Sequence, residues 1–469
     1  MSVSSNLYIH ELDRSALEAL KAIPGFTAFL KGFMKIWSEK QFRIQNMATK
    51  LRISEKQFSK YYDMLPPICE KLGIEVPELY LELSGSPNSY TSGDTKPFIV
   101  VTSGLLEKVP EHLIPTVLAH ECGHIACHHV LYHTMGNMII NGAAGMFELG
   151  DLITYPIQIA FYKWMRCSEY SADRAAAICD GTVENMKELC ACFAGYNRKI
   201  GSINMEAFME QAVEYKEMTE GSNWNKVLEF AMVSEDTHPL NAVRAYEINS
   251  WGMSEQFINT TNYIACTDGN YSFVPLADSD KFFVGKEYKA IEEELHQIGF
   301  RNVKLAREVE GKDKYKKDAV IRISIDGVIG FERASWHNAD SEVVITYFDP
   351  LTKEEIAAQH PDEICVPHGA KWYVGGEYQK VYDIFKELGF TDITVEKLPD
   401  LKRIKLLEDL RDAGRSLINN KPDATKGAST KENTVATLSI GGNSQFEMES
   451  WFRPDAPVRI TYHVYSDNI

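Results

Sequence analysis

This 469-residue chain lacks an unbroken apolar run of the roughly 20 residues that a membrane-spanning helix needs. The nearest approach lies between His133 and Met165, where the uncharged stretches His133–Phe147 and Leu152–Tyr162 are split by Glu148 and Asp151. That segment reads as a buried helical hairpin, with a membrane anchor as the rival. The start of the chain mixes charges through a helical pattern and has no apolar core followed by small residues, so no signal peptide is expected. No basic tract offsets the net charge of −17, which argues against a general nucleic-acid binder and is mildly unfavourable to anionic membranes. Peripheral membrane contact is left open. A disulfide framework is missing too: the nine cysteines are an odd number, scattered, several of them in apolar helical contexts. Reduced thiols and a cytoplasmic location are the expectation. Cys190 and Cys192 are too close for easy closure and lack a second pair, so no second metal site is expected there.

Apolar and charged fractions of 44% and 25% are those of a folded protein, and the length calls for two to four domains. Helical apolar spacing runs from Ala16 to Phe33, broken by Pro24-Gly25, and continues through Gln41–Leu51 and Lys56–Leu72. The period then changes. Leu79–Leu83 and Pro97–Thr102 are short β-type runs around a turn-rich segment, predicting a small sheet or hairpin before the next helix. Helices continue to about Met253.

Beyond a polar connection an internal repeat appears. Phe283-Val284-Gly285-Lys286-Glu287-Tyr288 matches Tyr373-Val374-Gly375-Gly376-Glu377-Tyr378, and each is followed by a helix that ends at Gly299-Phe300 or Gly389-Phe390. Ser324-Ile325-Asp326-Gly327 matches Ser439-Ile440-Gly441-Gly442, Phe331 and Trp336 match Phe446 and Trp451, and Ile345-Thr346-Tyr347 matches Ile460-Thr461-Tyr462. The offset grows from 90 to 115 residues, so the second copy carries about 25 extra residues, placed near 401–433 and read as a mobile loop. The expected class is α+β: a mainly helical domain with a small sheet over 1–255, a linker 256–280, a repeat module 281–352, a linker 353–370 and a second module 371–469. Each module is expected to be one helix followed by a β-meander.

Chemistry concentrates at His120-Glu121-Cys122-Gly123-His124, inside the apolar run Ile114–Val130. Histidines four apart on a helix can reach one metal ion, and the adjacent Glu121 can take a proton from a water beside it. A third ligand is required. The metzincin pattern would place Gly and His where the chain has Cys127 and Val130, so it fails. A carboxylate from a second helix is the alternative. Glu169 and Asp173, in Arg166-Cys167-Ser168-Glu169-Tyr170-Ser171-Ala172-Asp173, lie one turn apart on one helix face among small residues. Glu169 can ligate there while Asp173 orients a ligand. His128 lies near the face of His120, but about 12 Å along the axis, and is expected to be a solvated or core-edge histidine.

Together, His120-Glu121-x-x-His124 and Arg166-x-x-Glu169-x-x-x-Asp173 resemble the HtpX/CAAX prenyl protease family of zinc endopeptidases, which are gluzincins. Two further segments are similar to that family: Pro87–Gly93 with Phe98–Leu106, resembling an edge strand and the strand before the metal helix, and Thr237-His238-Pro239-Leu240 with Arg244. The resemblance spans residues 10–250. It implies one zinc ion per chain held by His120, His124 and Glu169, with Glu121 as general base and acid in peptide hydrolysis. It also implies that His238 lies near the substrate carbonyl, that Arg244 pairs with a carboxylate, and that an extended peptide or protein substrate pairs with the edge at Asn88, Ser89 and Tyr90. Thr237-His238-Pro239 otherwise reads as a helix N-cap with proline in the first turn. HtpX-type members carry spanning helices and this chain shows none of sufficient length, which points to a soluble relative. The C-terminal copies resemble, in their first third, the PASTA module of bacterial cell-wall kinases, and are candidates to bind protein or cover the site. The rival class is a non-catalytic interaction protein whose zinc is structural, which would need a fourth protein ligand.

Overall fold

The computed structural model describes residues 2–36, 39–93, 95–140, 151–197, 199–220, 238–310, 314–401 and 431–465. The chain divides into two compact units, Met1–Asp349 and Pro350–Ile469. The class is α+β, as the alternation of helical and two-residue periods predicted.

In the first unit, α1 (Glu11–Lys21), α2 (Phe26–Ile36) and α3 (Glu39–Thr49) precede β1 (Leu51–Ile53), α4 (Ser59–Tyr62) and α5 (Leu65–Leu72). The end of the expected third helix is therefore a short strand, because Leu51–Ile53 pairs antiparallel with β2 (Glu78–Glu82). β3 (Ser89–Ser92) and β4 (Phe98–Thr102) complete a sheet of order β1-β2-β4-β3, with β2 and β4 parallel and β3 antiparallel at the edge. Every residue of β4 is buried, whereas β3 is half-exposed throughout. Thr102 caps α6 (Ser103–Lys108), and the chain then enters α7 (Ile114–Ala126) with proline in its first turn. α7 is buried nearly all round, as its apolar composition requires.

α8 (Val130–Ile140) and α9 (Asp151–Asp180) form the described parts of the expected hairpin; its connection falls outside the described residues. Met135, Ile139, Ile157, Phe161 and Trp164 bury against Leu20, Phe26, Phe29 and Phe33 of α1 and α2. A surface that rests on protein is not free to face lipid, and among the described residues no helix is long and apolar enough to cross a membrane. α10 (Glu184–Ala194), α11 (Met205–Glu220), α12 (Asn241–Gly252) and α13 (Glu255–Ala265) follow.

Residues 256–280 are not a linker. They hold α13 and β5 (Phe273–Leu276), and Phe257, Tyr263, Tyr271, Val274 and Leu276 join one continuous core with Phe283, Ile291 and Leu295 of the first repeat. β5 pairs with β8 (Ser335–Asn338), a partner too distant in sequence for local pattern to reveal. Residues 353–370 likewise hold the helix Lys353–Gln359, closed by a Thr352/Glu355 capping box, and β10 (Ile364–Val366), paired with β13 (Ser450–Phe452).

The repeat is visible in three dimensions. Helix Tyr288–Ile298 leads to β6 (Asn302–Glu308), β7 (Val320–Ile325) and β9 (Glu342–Phe348); helix Tyr378–Leu388 leads to β11 (Ile393–Leu401), β12 (Val435–Ile440) and β14 (Val458–Tyr465). Neither copy is a meander. The last strand sits in the middle, parallel to the first and antiparallel to the second, giving orders β6-β9-β7 and β11-β14-β12. Central position explains why Val343, Ile345, Val458 and Ile460 are fully buried. The expected insertion near 401–433 lies almost wholly outside the described residues.

Candidate metal centre and active site

α7 and α9 meet at Gly123. A side-chain carbon there would stand 2.7 Å from Ala175 Cβ and 3.1 Å from Ala172 Cα, so only glycine lets the two helices come this close. Above this contact His120 Nε2 and His124 Nε2 lie 3.3 Å apart, and Glu169 reaches each of them at 3.3 Å, one carboxylate oxygen per ring. Zinc bonds of about 2.0–2.1 Å place the corners of a tetrahedron about 3.3–3.4 Å apart. The two nitrogens therefore have the spacing of one edge of a tetrahedral donor set, and one or the other Glu169 oxygen stands at that same distance from each. Glu169 Oε2 is buried without a hydrogen bond, an expensive arrangement that a cation would relieve. Neutral nitrogens plus a carboxylate are a zinc-type donor set, and they fit the ion.

Each ring is held from behind. His120 Nδ1 lies 2.9 Å from Asp173 Oδ1, and Asp173 in turn accepts two hydrogen bonds from Arg244, at 2.9 and 2.6 Å. All three residues are buried. Burial works against the charge on Asp173, but Arg244 outweighs it and keeps the carboxyl below its usual range. Burial likewise opposes protonation of His120, yet the Asp173 and Glu169 carboxylates prevail and raise its pKa to about 10 in the metal-free protein. His124 is different: desolvation dominates and lowers its pKa, keeping the ring neutral. Glu169 is held well below the ordinary carboxyl range, because His238 and the two α7 histidines overcome the desolvation cost.

Glu121, which follows His120 on α7, is buried with both oxygens occupied: Ser89 Oγ donates to Oε1 at 2.7 Å and Thr91 Oγ1 to Oε2 at 2.6 Å. The period of two in β3 explains the pair, since Ser89 and Thr91 face α7 while Tyr90 turns the other way, toward Tyr80, Phe98 and Val100. Asn88 exchanges hydrogen bonds with Thr102 on the β4 side. By the alternation of an antiparallel ladder, the outward backbone groups belong to Ser89 and Thr91 rather than to Asn88 and Tyr90. Among the described residues no further strand pairs with this edge.

His238 is 61% exposed along its side chain, with Nε2 3.8 Å from Glu169 Oε2. α12 begins only at Asn241, with Leu240 as its N-cap, so His238 and Pro239 precede the helix rather than start it; Thr237 lies outside the described residues. His128 is exposed, as expected. Three residues at the site did not stand out in the sequence. Thr91 was visible through strand alternation with Ser89. His129 and Asp13, which meet behind His124, had no local signal at all.

Residues 66–252 match the profile of Peptidase family M48. The chain is 33% identical over 253 residues to the plastoglobule-localized metallopeptidase 48, chloroplastic, of Arabidopsis thaliana, covering 53% of this chain and 73% of that protein. It is 23% identical over 227 residues to a Protease HtpX homolog of Persephonella marina, covering 42% of this chain and 74% of the relative. A three-PASTA-domain structure of a Ser/Thr kinase from Staphylococcus aureus matches 39% of this chain and 64% of its own, at 16% identity and a TM-score of 0.13.

Proposed function

The chain belongs to peptidase family M48, and from that premise we propose that it is a zinc-dependent endopeptidase with Glu121 as general base and acid. The observation that carries this reading is the group of His120, His124 and Glu169, with the residue after His120 a buried carboxylate already held by two hydroxyls. One zinc ion per chain, when bound, supplies Lewis acidity toward a scissile carbonyl and acidifies water beside Glu121. The remaining work falls to the chain itself. Glu121 accepts a proton from the attacking water and delivers it to the leaving amine. Ser89 and Thr91 fix its two oxygens, so little reorganisation accompanies the transfer. The outward backbone of Ser89 and Thr91 offers an extended peptide the hydrogen bonds of an added strand. His238 is assigned the donor role toward the carbonyl oxygen as charge develops, a reading supported by its exposure and its 3.8 Å approach to Glu169. Asp173 and Arg244 orient His120 and take no part in proton transfer.

A structural zinc site would close with a fourth protein ligand; among the described residues the group around Glu169 has three members. Nine free cysteines favour a reducing compartment such as the cytoplasm. The name of the plant relative instead places that protein at chloroplast plastoglobules, which makes a peripheral location the competing proposal; fractionation without detergent separates the two. Glu121→Gln should bind one equivalent of zinc and fail to cleave a denatured protein substrate. Turnover retained in that variant would falsify the assignment, and so would wild-type cleavage that survives complete metal removal.

A further inference from the structure

Behind His124 lies a chain of buried groups that the proposed chemistry does not use. α7 ends at Ala126 in a Schellman-type cap: His128 takes a left-handed conformation at φ 58°, its N–H bonds to Ile125 O, and His129 N–H bonds back to His124 O. The reversal returns His129 beneath His124, with Nδ1 facing Nδ1 at 3.0 Å. On its far side, His129 Nε2 stands 2.8 Å from Asp13 Oδ2, within ion-pair distance though not an aligned hydrogen bond. Asp13 is a fully buried carboxylate on α1; Trp164 Nε1 donates to its Oδ1 at 2.9 Å and Ser171 Oγ to its Oδ2 at 2.6 Å.

We propose that Asp13 and His129 are positioning residues for the metal centre, forming an Asp13–His129–His124 relay that fixes the tautomer of His124. Two facing ring nitrogens share one hydrogen, so one donates and the other accepts. A ligand nitrogen must be bare. With Nε2 of His124 turned to the metal, its hydrogen sits on Nδ1 and is donated to His129 Nδ1. Neutral His129 then carries its hydrogen on Nε2, facing the Asp13 carboxylate, which can only accept. His120 gets the same instruction directly from Asp173. The two histidine ligands are thus each oriented by a carboxylate, one of them through an intervening imidazole.

This inference rests on the zinc reading, and its test is zinc binding and tautomer state rather than turnover. In Asp13→Asn the Trp164 N–H, a donor only, holds the amide oxygen at the Oδ1 position and leaves the NH2 group facing His129. His129 must then accept at Nε2 and donate from Nδ1, which pushes the His124 hydrogen onto the metal-facing nitrogen. Zinc affinity, measured by competition with a chromophoric chelator, should fall by about 10- to 100-fold. Nitrogen-15 histidine spectra of the zinc-loaded protein should show His129 protonated at Nε2 in the wild type and at Nδ1 in Asp13→Asn. A merely structural role for Asp13 would lower the melting temperature without moving that signature. Wild-type protein protonated at His129 Nδ1 overturns the relay without any variant. A folded Asp13→Asn protein with wild-type zinc affinity does so as well. A second zinc equivalent abolished by His133→Phe also overturns it, because His124, His129 and His133 would then be ligands in their own right. Wild-type protein that binds no zinc refutes the metallopeptidase reading and the relay together.

Discussion

Gly123 and Ala175 touch so closely that any side chain at 123 would overlap the alanine methyl, at 2.7 Å. This contact sets how near the helix carrying His120 and His124 comes to the helix carrying Glu169. The grouping of the two histidine nitrogens, 3.3 Å apart, with a Glu169 oxygen 3.3 Å from each depends on it.

Gly123→Ala should therefore act on both stability and the metal. Forcing a methyl into a packed helix crossing costs about 1–3 kcal/mol. Urea unfolding of the variant should show that loss, and chelator competition should show weaker zinc binding. Unchanged zinc affinity in a destabilised protein would mean that the helix spacing does not govern the site.

Arg244→Met takes the guanidinium partner from the buried Asp173 carboxylate and leaves His120 alone beside it. Removing one partner of a buried ion pair costs about 3–5 kcal/mol. The denaturation midpoint should drop accordingly. A loss below about 1 kcal/mol would show that the pair contributes little beyond its own desolvation.

The two hydroxyls on Glu121 can be removed together with Ser89→Ala and Thr91→Val. Hydrogen bonds to a charged group are worth about 1.5–3 kcal/mol each. If part of that positioning reaches the transition state, kcat should fall by about tenfold or more while zinc content stays at wild type. A kcat that does not change would assign those hydroxyls to packing alone.

Zinc loading at neutral pH should release a proton. In the metal-free protein His120 is lifted from 6.5 to about 10, so it is protonated at pH 7 and must lose that proton to ligate. Calorimetric titrations in two buffers of different ionisation enthalpy should reveal the release, and zinc affinity should weaken as pH falls. For the metal-free fold the sign is opposite to that of affinity. A raised pKa stabilises fully below about 6.5, and the contribution disappears as pH climbs through about 10. Identical heats in the two buffers would contradict a protonated His120.

Much of the centre was legible in the chain because its parts are local. His120 with His124, and Glu169 with Asp173, are each one helical turn apart, so helix geometry alone puts each pair on a common face. Strand alternation puts Ser89 and Thr91 on a common face in the same way. The relay is of another kind. His129 stands beneath His124 only because the helix ends in a left-handed cap, and Asp13 arrives from α1 through the packing of α1 against α9. The β5–β8 pairing and the central last strand of each repeat are equally long-range, which is why the linker and meander expectations gave way.

By itself the sequence determined the candidate ligand types, the candidate carboxylate base, the helical and strand periods, and the repetition of the C-terminal modules. The first three follow from spacings of two to four residues, set by backbone geometry, and the repetition from motifs that recur at offsets of 90 to 115 residues. Tertiary structure alone decided which carboxylates stand behind which histidines, which backbone groups of β3 face outward, and where the first module joins the core. Those outcomes depend on helices and strands meeting across long stretches of chain, where burial, close contact at Gly123 and the pairing of buried charge select one arrangement.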